Sequence, residues 1–238
     1  MAKLESNDVY EQDGVAMTSR SFREYQSMFA LQENVLKSGP ILDVAAGASS
    51  FTAEANLLGL QSYAVDPLYH LTAEQMHQHG RKEIEESTAK LEKIAHRYDW
   101  SFYGDLATHR QNREDSLERF ISDYKTGRGS RYKIGSLPRL PFAGNSFSLV
   151  LCNHFLFLYQ EQFDYDFHLQ SVRELIRVCR TGGEVRIYPL VTLRREPYLH
   201  LQRLIDEIRK AGQRVEQIPI DFQFAPDANR FLQIRKEA

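Results

Sequence analysis

The chain's chemistry is concentrated where an aspartate, Asp66, follows Gly47 at an interval of 19 positions, beyond a run of small residues. Residues 40–51 read Pro-Ile-Leu-Asp-Val-Ala-Ala-Gly-Ala-Ser-Ser-Phe, and after a short amphipathic run comes Gln-Ser-Tyr-Ala-Val-Asp, ending at Asp66. An apolar run, a small-residue turn, an amphipathic segment and a second apolar run predict a strand, a turn, a helix and a second strand. Such a unit can hold an adenosyl group. Small side chains let a ligand approach the backbone and the helix N-terminus, while a carboxylate ending the next strand accepts ribose hydroxyls. The interval is about that of the dinucleotide fingerprint, but Ala45, Gly47 and Ser49 stand at its three glycine positions. No glycine follows to open the helix against a pyrophosphate, so the turn suits a nucleoside better than a dinucleotide.

The turn resembles the first motif of the class I S-adenosylmethionine-dependent methyltransferases, Leu-Asp-x-Gly-x-Gly-x-Gly. Leu42, Asp43 and Gly47 match it, and Ala45 and Ser49, both small, replace the outer glycines. Two further stretches are similar to that family in the expected order. Leu140-Pro-Phe-Ala-Gly-Asn-Ser-Phe-Ser-Leu-Val-Leu-Cys-Asn153 looks like its fourth strand with the preceding Leu-Pro-Phe turn. Arg173-Glu-Leu-Ile-Arg-Val-Cys-Arg-Thr-Gly-Gly-Glu-Val-Arg-Ile-Tyr188 looks like its helix, Pro-Gly-Gly turn and fifth strand, with Thr181 in place of the proline.

The resemblance implies S-adenosylmethionine as cofactor, bound by Asp43, Ala45, Gly47, Ser49, Asp66, Pro67, Leu68, Ser136, Leu137 and Asn153. Within that set, Gly47 would approach the methionine moiety, Asp66 take the ribose hydroxyls, Leu68 lie on the adenine face, and Asn153 sit near the methionine end. Ser136 falls where many relatives carry an aspartate for the adenine amino group. A serine hydroxyl also accepts that bond, as a weaker neutral partner. Ser148 likewise replaces the aspartate usual at the start of the fourth strand.

Methyl transfer from a sulfonium needs alignment and exclusion of water, and needs a general base only if the acceptor loses a proton. In the segment from Asn153 to His168, His154 is a candidate base and Tyr159 a candidate for positioning the acceptor. The same residues also read as a satisfied histidine at a strand end, with Phe155 and Phe157 in the core. No Asp/Asn-Pro-Pro-Tyr/Phe tetrapeptide follows the fourth strand, which counts against the nucleobase amine methylation associated with it. His70, His77, His79 and His96 do not fall at metal-ligand spacing, so no metal site is expected.

At 238 residues the chain can bury one substantial core, and a single domain over 1–238 is expected. Its fold class is α/β: a Rossmann-like doubly wound sheet of seven mostly parallel strands with an antiparallel finish. Strands are predicted near 40–45, 61–66, 131–135, 146–152, 183–190, 214–219 and 229–235, the last two as an antiparallel pair at one edge. Helices are predicted near 20–37, 50–58, 72–97, 114–126, 167–180 and 197–211. Residues 1–38 are expected to form an N-terminal helical cap, and 69–130 a helical insertion longer than a minimal crossover needs. Tyr10, Tyr25 and the aromatic cluster Tyr98–Tyr103 could wall a closing pocket, or pack the insertion onto the sheet's edge.

The formal net charge of −2 gives no basic footprint for stable nucleic-acid binding. Cys152 and Cys179 read as buried thiols, and no run is long enough to span a bilayer, so a cytoplasmic protein with reduced cysteines is expected. The leading function is methyl transfer to a small-molecule acceptor. The alternative is a catalytically idle methyltransferase-like module that binds a protein. A nicotinamide-dependent oxidoreductase ranks last, lacking a pyrophosphate turn and a Tyr-x-x-x-Lys set.

Overall fold

The computed structural model describes residue 12 and residues 14–222, 224–225 and 227–238. Seven apolar-patterned runs pair into one sheet: β1 (Ile41–Val44), β2 (Ser62–Asp66), β3 (Tyr132–Ile134), β4 (Phe147–Asn153), β5 (Cys179–Tyr188), β6 (Arg214–Pro219) and β7 (Arg230–Arg235). Their order is β3-β2-β1-β4-β5-β7-β6. β1 pairs in parallel with β2 on one side and β4 on the other, which opens a crevice at the carboxyl ends of these strands. The last two strands are antiparallel as expected, but β7 lies inside the sheet, antiparallel also to β5, and only β6 is at the edge. Their side chains explain the choice. Phe231, Leu232 and Ile234 of β7 are buried, whereas β6 keeps Arg214 and Gln217 exposed.

Alternation along the strands feeds two layers of helices. On one face α6 (Tyr165–Val178) and α7 (Leu201–Lys210) set Val172, Leu175, Leu204 and Ile208 against Leu42, Val150, Val185 and Ile187. On the other, α1 (Phe22–Met28) and α3 (Phe51–Leu57) bring Phe22, Tyr25 and Phe51 against Ile41, Leu149 and Leu151. The insertion extends this second layer as two long helices, α4 (Ala73–Lys93) and α5 (Leu106–Gly127), whose Met76, Leu117, Phe120 and Tyr124 cluster with Ala64 and Tyr132. Gly80 lets them approach, since a Cβ there would lie 2.5 Å from Leu117 Cδ1. Among the described residues no helix is long and apolar enough to cross a membrane.

Several boundaries differ from expectation. Instead of one helix over 20–37 there are α1 and α2 (Glu33–Leu36), separated at Ala30, whose φ is 47°. The Arg186 guanidinium on β5 takes the Phe29 carbonyl at 2.6 Å, so the break satisfies a buried cation. α5 starts at Leu106, earlier than the predicted 114, because Asp105 Oδ1 accepts the Thr108 N–H at 2.7 Å and caps it. α4 ends at Lys93 with a short 3-10 turn after it, and β5 begins at Cys179, inside the helix expected over 167–180, because Cys179 already pairs with Phe147. The aromatic cluster packs on the segment joining β6 to β7, with Tyr103 and Phe224 centroids 4.8 Å apart. Cys152 and Cys179 are both buried and free. Tyr10 lies outside the described residues.

α1, the insertion and the residues before α1 meet at Glu24, which is 1% exposed. Its carboxylate accepts from Arg113 Nη1 at 2.5 Å, the Tyr103 hydroxyl at 2.6 Å and the Ser21 N–H at 2.8 Å. Burial pushes the carboxyl up, but Arg113 and Arg20 outweigh it and hold the value down at about 2, against an ordinary 4.5. Stability from this group is therefore complete above the ordinary value and is lost as pH falls toward about 2. Glu24→Gln leaves two guanidinium groups buried beside a neutral amide, and is expected to cost roughly 3–5 kcal/mol in urea unfolding at pH 7. The gap between wild type and variant should narrow as pH is lowered through that window.

Candidate active site

At the carboxyl ends of β1, β2 and β4 lies a cavity of about 470 Å³, inside the range of roughly 300–1,000 Å³ usual for small-molecule sites. Ala45, Asp66, Pro67, Leu68, Ser136, Leu137 and Asn153 stand on its wall. Residues 15–18, an irregular strap before α1, close it from above.

Asp66, the last residue of β2, is 7% exposed. Its Oδ2 accepts the Gly47 N–H and its Oδ1 the Leu68 N–H, each at 2.9 Å. Burial raises its pKa, and the two N–H groups only partly offset that. Each oxygen retains a lone pair, so the carboxylate can accept two neighbouring hydroxyls while staying fixed to the turn. The turn itself needs left-handed backbone at Ala45 and Gly47, with φ of 55° and 54°. Ala45 is thus a strained position facing the cavity.

Asp43, Gly47 and Ser49 are not on the cavity wall. Asp43 lies beneath it: Oδ1 accepts the Tyr25 hydroxyl at 3.2 Å, while Oδ2 is buried without a partner. Burial pushes this carboxyl well up, and the Tyr25 bond only partly opposes it. Gly47 backs onto the strap, where an added Cβ would meet Met17 Cγ and the Thr18 nitrogen at 3.3 Å. The close approach its missing side chain allows is to the chain's own N-terminal segment. Ser49 Oγ accepts the Phe51 N–H at 3.1 Å and donates to the Arg20 carbonyl at 2.9 Å, linking α3 to the strap.

His154 borders the cavity at a left-handed position, φ 49°, just past β4. Its Nδ1 lies 2.6 Å from Asn153 Oδ1, an acceptor, so the ring proton is on Nδ1 and the lone pair on Nε2. Burial lowers its pKa well below the ordinary imidazole value, and Arg20 and Arg113 lower it further. Tyr159 is separate: its hydroxyl accepts the Ala16 N–H at 3.0 Å, so it holds the strap, and it faces a smaller neighbouring cavity. Tyr25 is buried and lines the main cavity beside Asp43.

Sequence reasoning missed the strap and Arg20. The strap has no periodicity to read. Arg20 did carry a signal, because Ser21-Phe22-Arg23-Glu24 is a capping box that fixes the start of α1 directly after it.

No known family profile matches the chain. The uncharacterized protein MJ0045 of Methanocaldococcus jannaschii is 33% identical over 221 residues, which is 92% of this chain and 96% of that protein. Among solved structures, an O-methyltransferase family protein from Burkholderia thailandensis has a TM-score of 0.50 at 12% identity, covering 91% of this chain and 57% of its own. The PH0226 protein from Pyrococcus horikoshii OT3 has a TM-score of 0.44 at 13% identity, covering 91% and 90%.

The buried Asp43 carboxyl carries a cost that grows as pH rises above the unfolded carboxyl value, because the folded chain binds the proton more tightly than the unfolded chain. Asp43→Asn, which keeps an acceptor for Tyr25, is expected to raise Tm at pH 7 by about 3 °C, the shift of roughly 1 kcal/mol in a chain of this size. The gain should shrink toward zero as pH falls below about 4, where the unfolded carboxyl also takes up its proton. Scanning calorimetry at pH 7 and pH 3.5 checks both signs.

Proposed function

On the premise that this chain belongs to the class I S-adenosylmethionine-dependent methyltransferase fold family, with MJ0045 as a relative along nearly its whole length, we propose that it transfers a methyl group from S-adenosylmethionine to a small-molecule acceptor. The observation that carries this reading is Asp66: a buried carboxylate, pinned to the Gly47 turn and to Leu68 N–H, on the wall of a ligand-sized cavity. Its remaining lone pairs suit the vicinal hydroxyls of a ribose. Leu68 and Leu137 offer apolar surface for an adenine, and the Ser136 hydroxyl is an acceptor for its amino group. Asn153, at the end of β4, would lie toward the methionine end.

When bound, the cofactor supplies an activated methyl group with a good leaving group. The chain's task is then alignment and dryness, and the strap over the cavity serves the second. Where the acceptor must shed a proton, His154 Nε2 is the base this site offers. Tyr159 holds the strap through the Ala16 N–H and stands on the wall of the neighbouring cavity. Cytoplasmic residence belongs to the same proposal, with the two buried free thiols suited to a reducing compartment.

Calorimetric titration of the full chain with S-adenosylhomocysteine tests the reading. Micromolar binding is expected, weakened about a hundredfold in Asp66→Ala, as the loss of two charge-assisted hydrogen bonds implies. A folded wild-type chain that does not bind it would overturn the proposal and leave the non-catalytic module standing.

A further inference from the structure

Across the strap lies a second cavity, of about 180 Å³. Ala16, Met17, Thr18, Arg20 and His154 belong to the walls of both cavities, so this smaller chamber adjoins the main one along its strap side. Its other wall includes His109 and Arg113 from α5.

The hydrogen bonding of this wall is incomplete in a directed way. Arg113 Nη2 lies 3.2 Å from His109 Nε2, and a guanidinium can only donate. Nε2 therefore accepts, and the ring proton sits on Nδ1. That N–H has no protein partner, nor does the Nε–H of Arg20 or the hydroxyl of Ser19. His109 and Ser19 are 7% and 1% exposed. Buried donors are nearly always bonded, so unpartnered donors on three residues that line one chamber call for an acceptor that the protein does not supply.

The charges agree. Arg20 and Arg113 share a single buried carboxylate, Glu24, at 3.5 and 2.5 Å. Arg195, also on this wall, is matched by Asp227 at 3.3 Å. Glu83 is the acidic side chain on the wall, and its contact with His79 at 3.8 Å pairs charge only when that imidazole is protonated. The buried guanidinium pair thus carries one positive charge more than its carboxylate. A negative occupant would offset that excess, which also weakens His154 as a base.

Resting on the methyltransferase reading, the geometry points to this chamber as the acceptor pocket and to an acceptor bearing an oxyanion, a carboxylate or a phosphate, bound by His109 Nδ1–H, Arg20 Nε–H and the Ser19 hydroxyl. The cavity's size suits a small acid and not a polymer end.

The test is calorimetry on the full chain, with and without saturating S-adenosylhomocysteine, using succinate, inorganic phosphate and the neutral analogue succinamide. At least one anion is expected to bind about tenfold or more tightly than succinamide, the margin of a charge-assisted bond over a neutral one. The tighter of the two anions identifies the group. Arg20→Gln should remove most of this preference. Should that variant fail to fold, Ser19→Ala, whose hydroxyl makes no protein bond, should fold, bind the anion several-fold more weakly and bind S-adenosylhomocysteine as wild type does. A chain that binds S-adenosylhomocysteine but binds all three probes equally, or none, overturns the oxyanion pocket and leaves the methyltransferase reading intact. Anion binding without S-adenosylhomocysteine binding would overturn the acceptor role along with the reading it rests on.

Discussion

Glu24 and the two guanidinium groups around it tie together three separate parts of the chain. Arg113 comes from the second helix of the insertion, Tyr103 from the aromatic loop before it, and Arg20 from between the strap and α1. A charge this deeply buried is tolerable only with near-complete partnering, and each missing partner would leave a desolvated ion. The cluster therefore fixes the insertion against α1. Arg113 also donates to the Ser19 carbonyl at 2.8 Å, which ties the strap's end to the same point. Together with the Tyr159 bond to Ala16 and the Ser49 bond to Arg20, these contacts position the strap and with it the roof of the cavity.

From that roof the division into two cavities follows. The strap crosses the carboxyl ends of the strands with Met17 and Thr18 against Gly47, and its Ala16 N–H is held by Tyr159. Asp66 stands on the wall of one cavity, His109 and Ser19 with their unpartnered donors on the wall of the other, and Arg20 on both. Two polar environments of opposite character thus lie side by side, with His154 on the wall of each. An arrangement of this kind separates a nucleoside-binding surface, which needs acceptors for hydroxyls, from a surface that needs donors and positive charge.

Much of the fold is legible in the sequence because its signals are local. Each of the seven strands carries its own apolar pattern, and the Gly47 turn with Asp66 can be read from residue size and interval alone. Helix boundaries were less legible: the local Asp105 cap that begins α5 was missed, and another boundary is set by a tertiary partner. The break at Ala30 depends on Arg186 reaching from β5, far away in sequence, and no window around residue 30 contains that information. The same holds for the sheet's far edge. That β7 lies inside β6 is a competition for burial between two strands, decided only when both are docked on β5.

The candidate site divides in the same way. The sequence by itself determined the strand order's starting unit, the small turn and the carboxylate at its partner strand's end, because these act within a stretch where spacing equals geometry. It also brought His154 and Asn153 to the end of β4. Only the tertiary structure decided that Gly47 faces the strap, that Asp43 lies beneath the cavity beside Tyr25, and that Tyr159 anchors a distant backbone nitrogen. It alone assembled Arg20, His109 and Arg113 around a second chamber, since their meeting is set by burial and charge pairing across segments that share no local pattern.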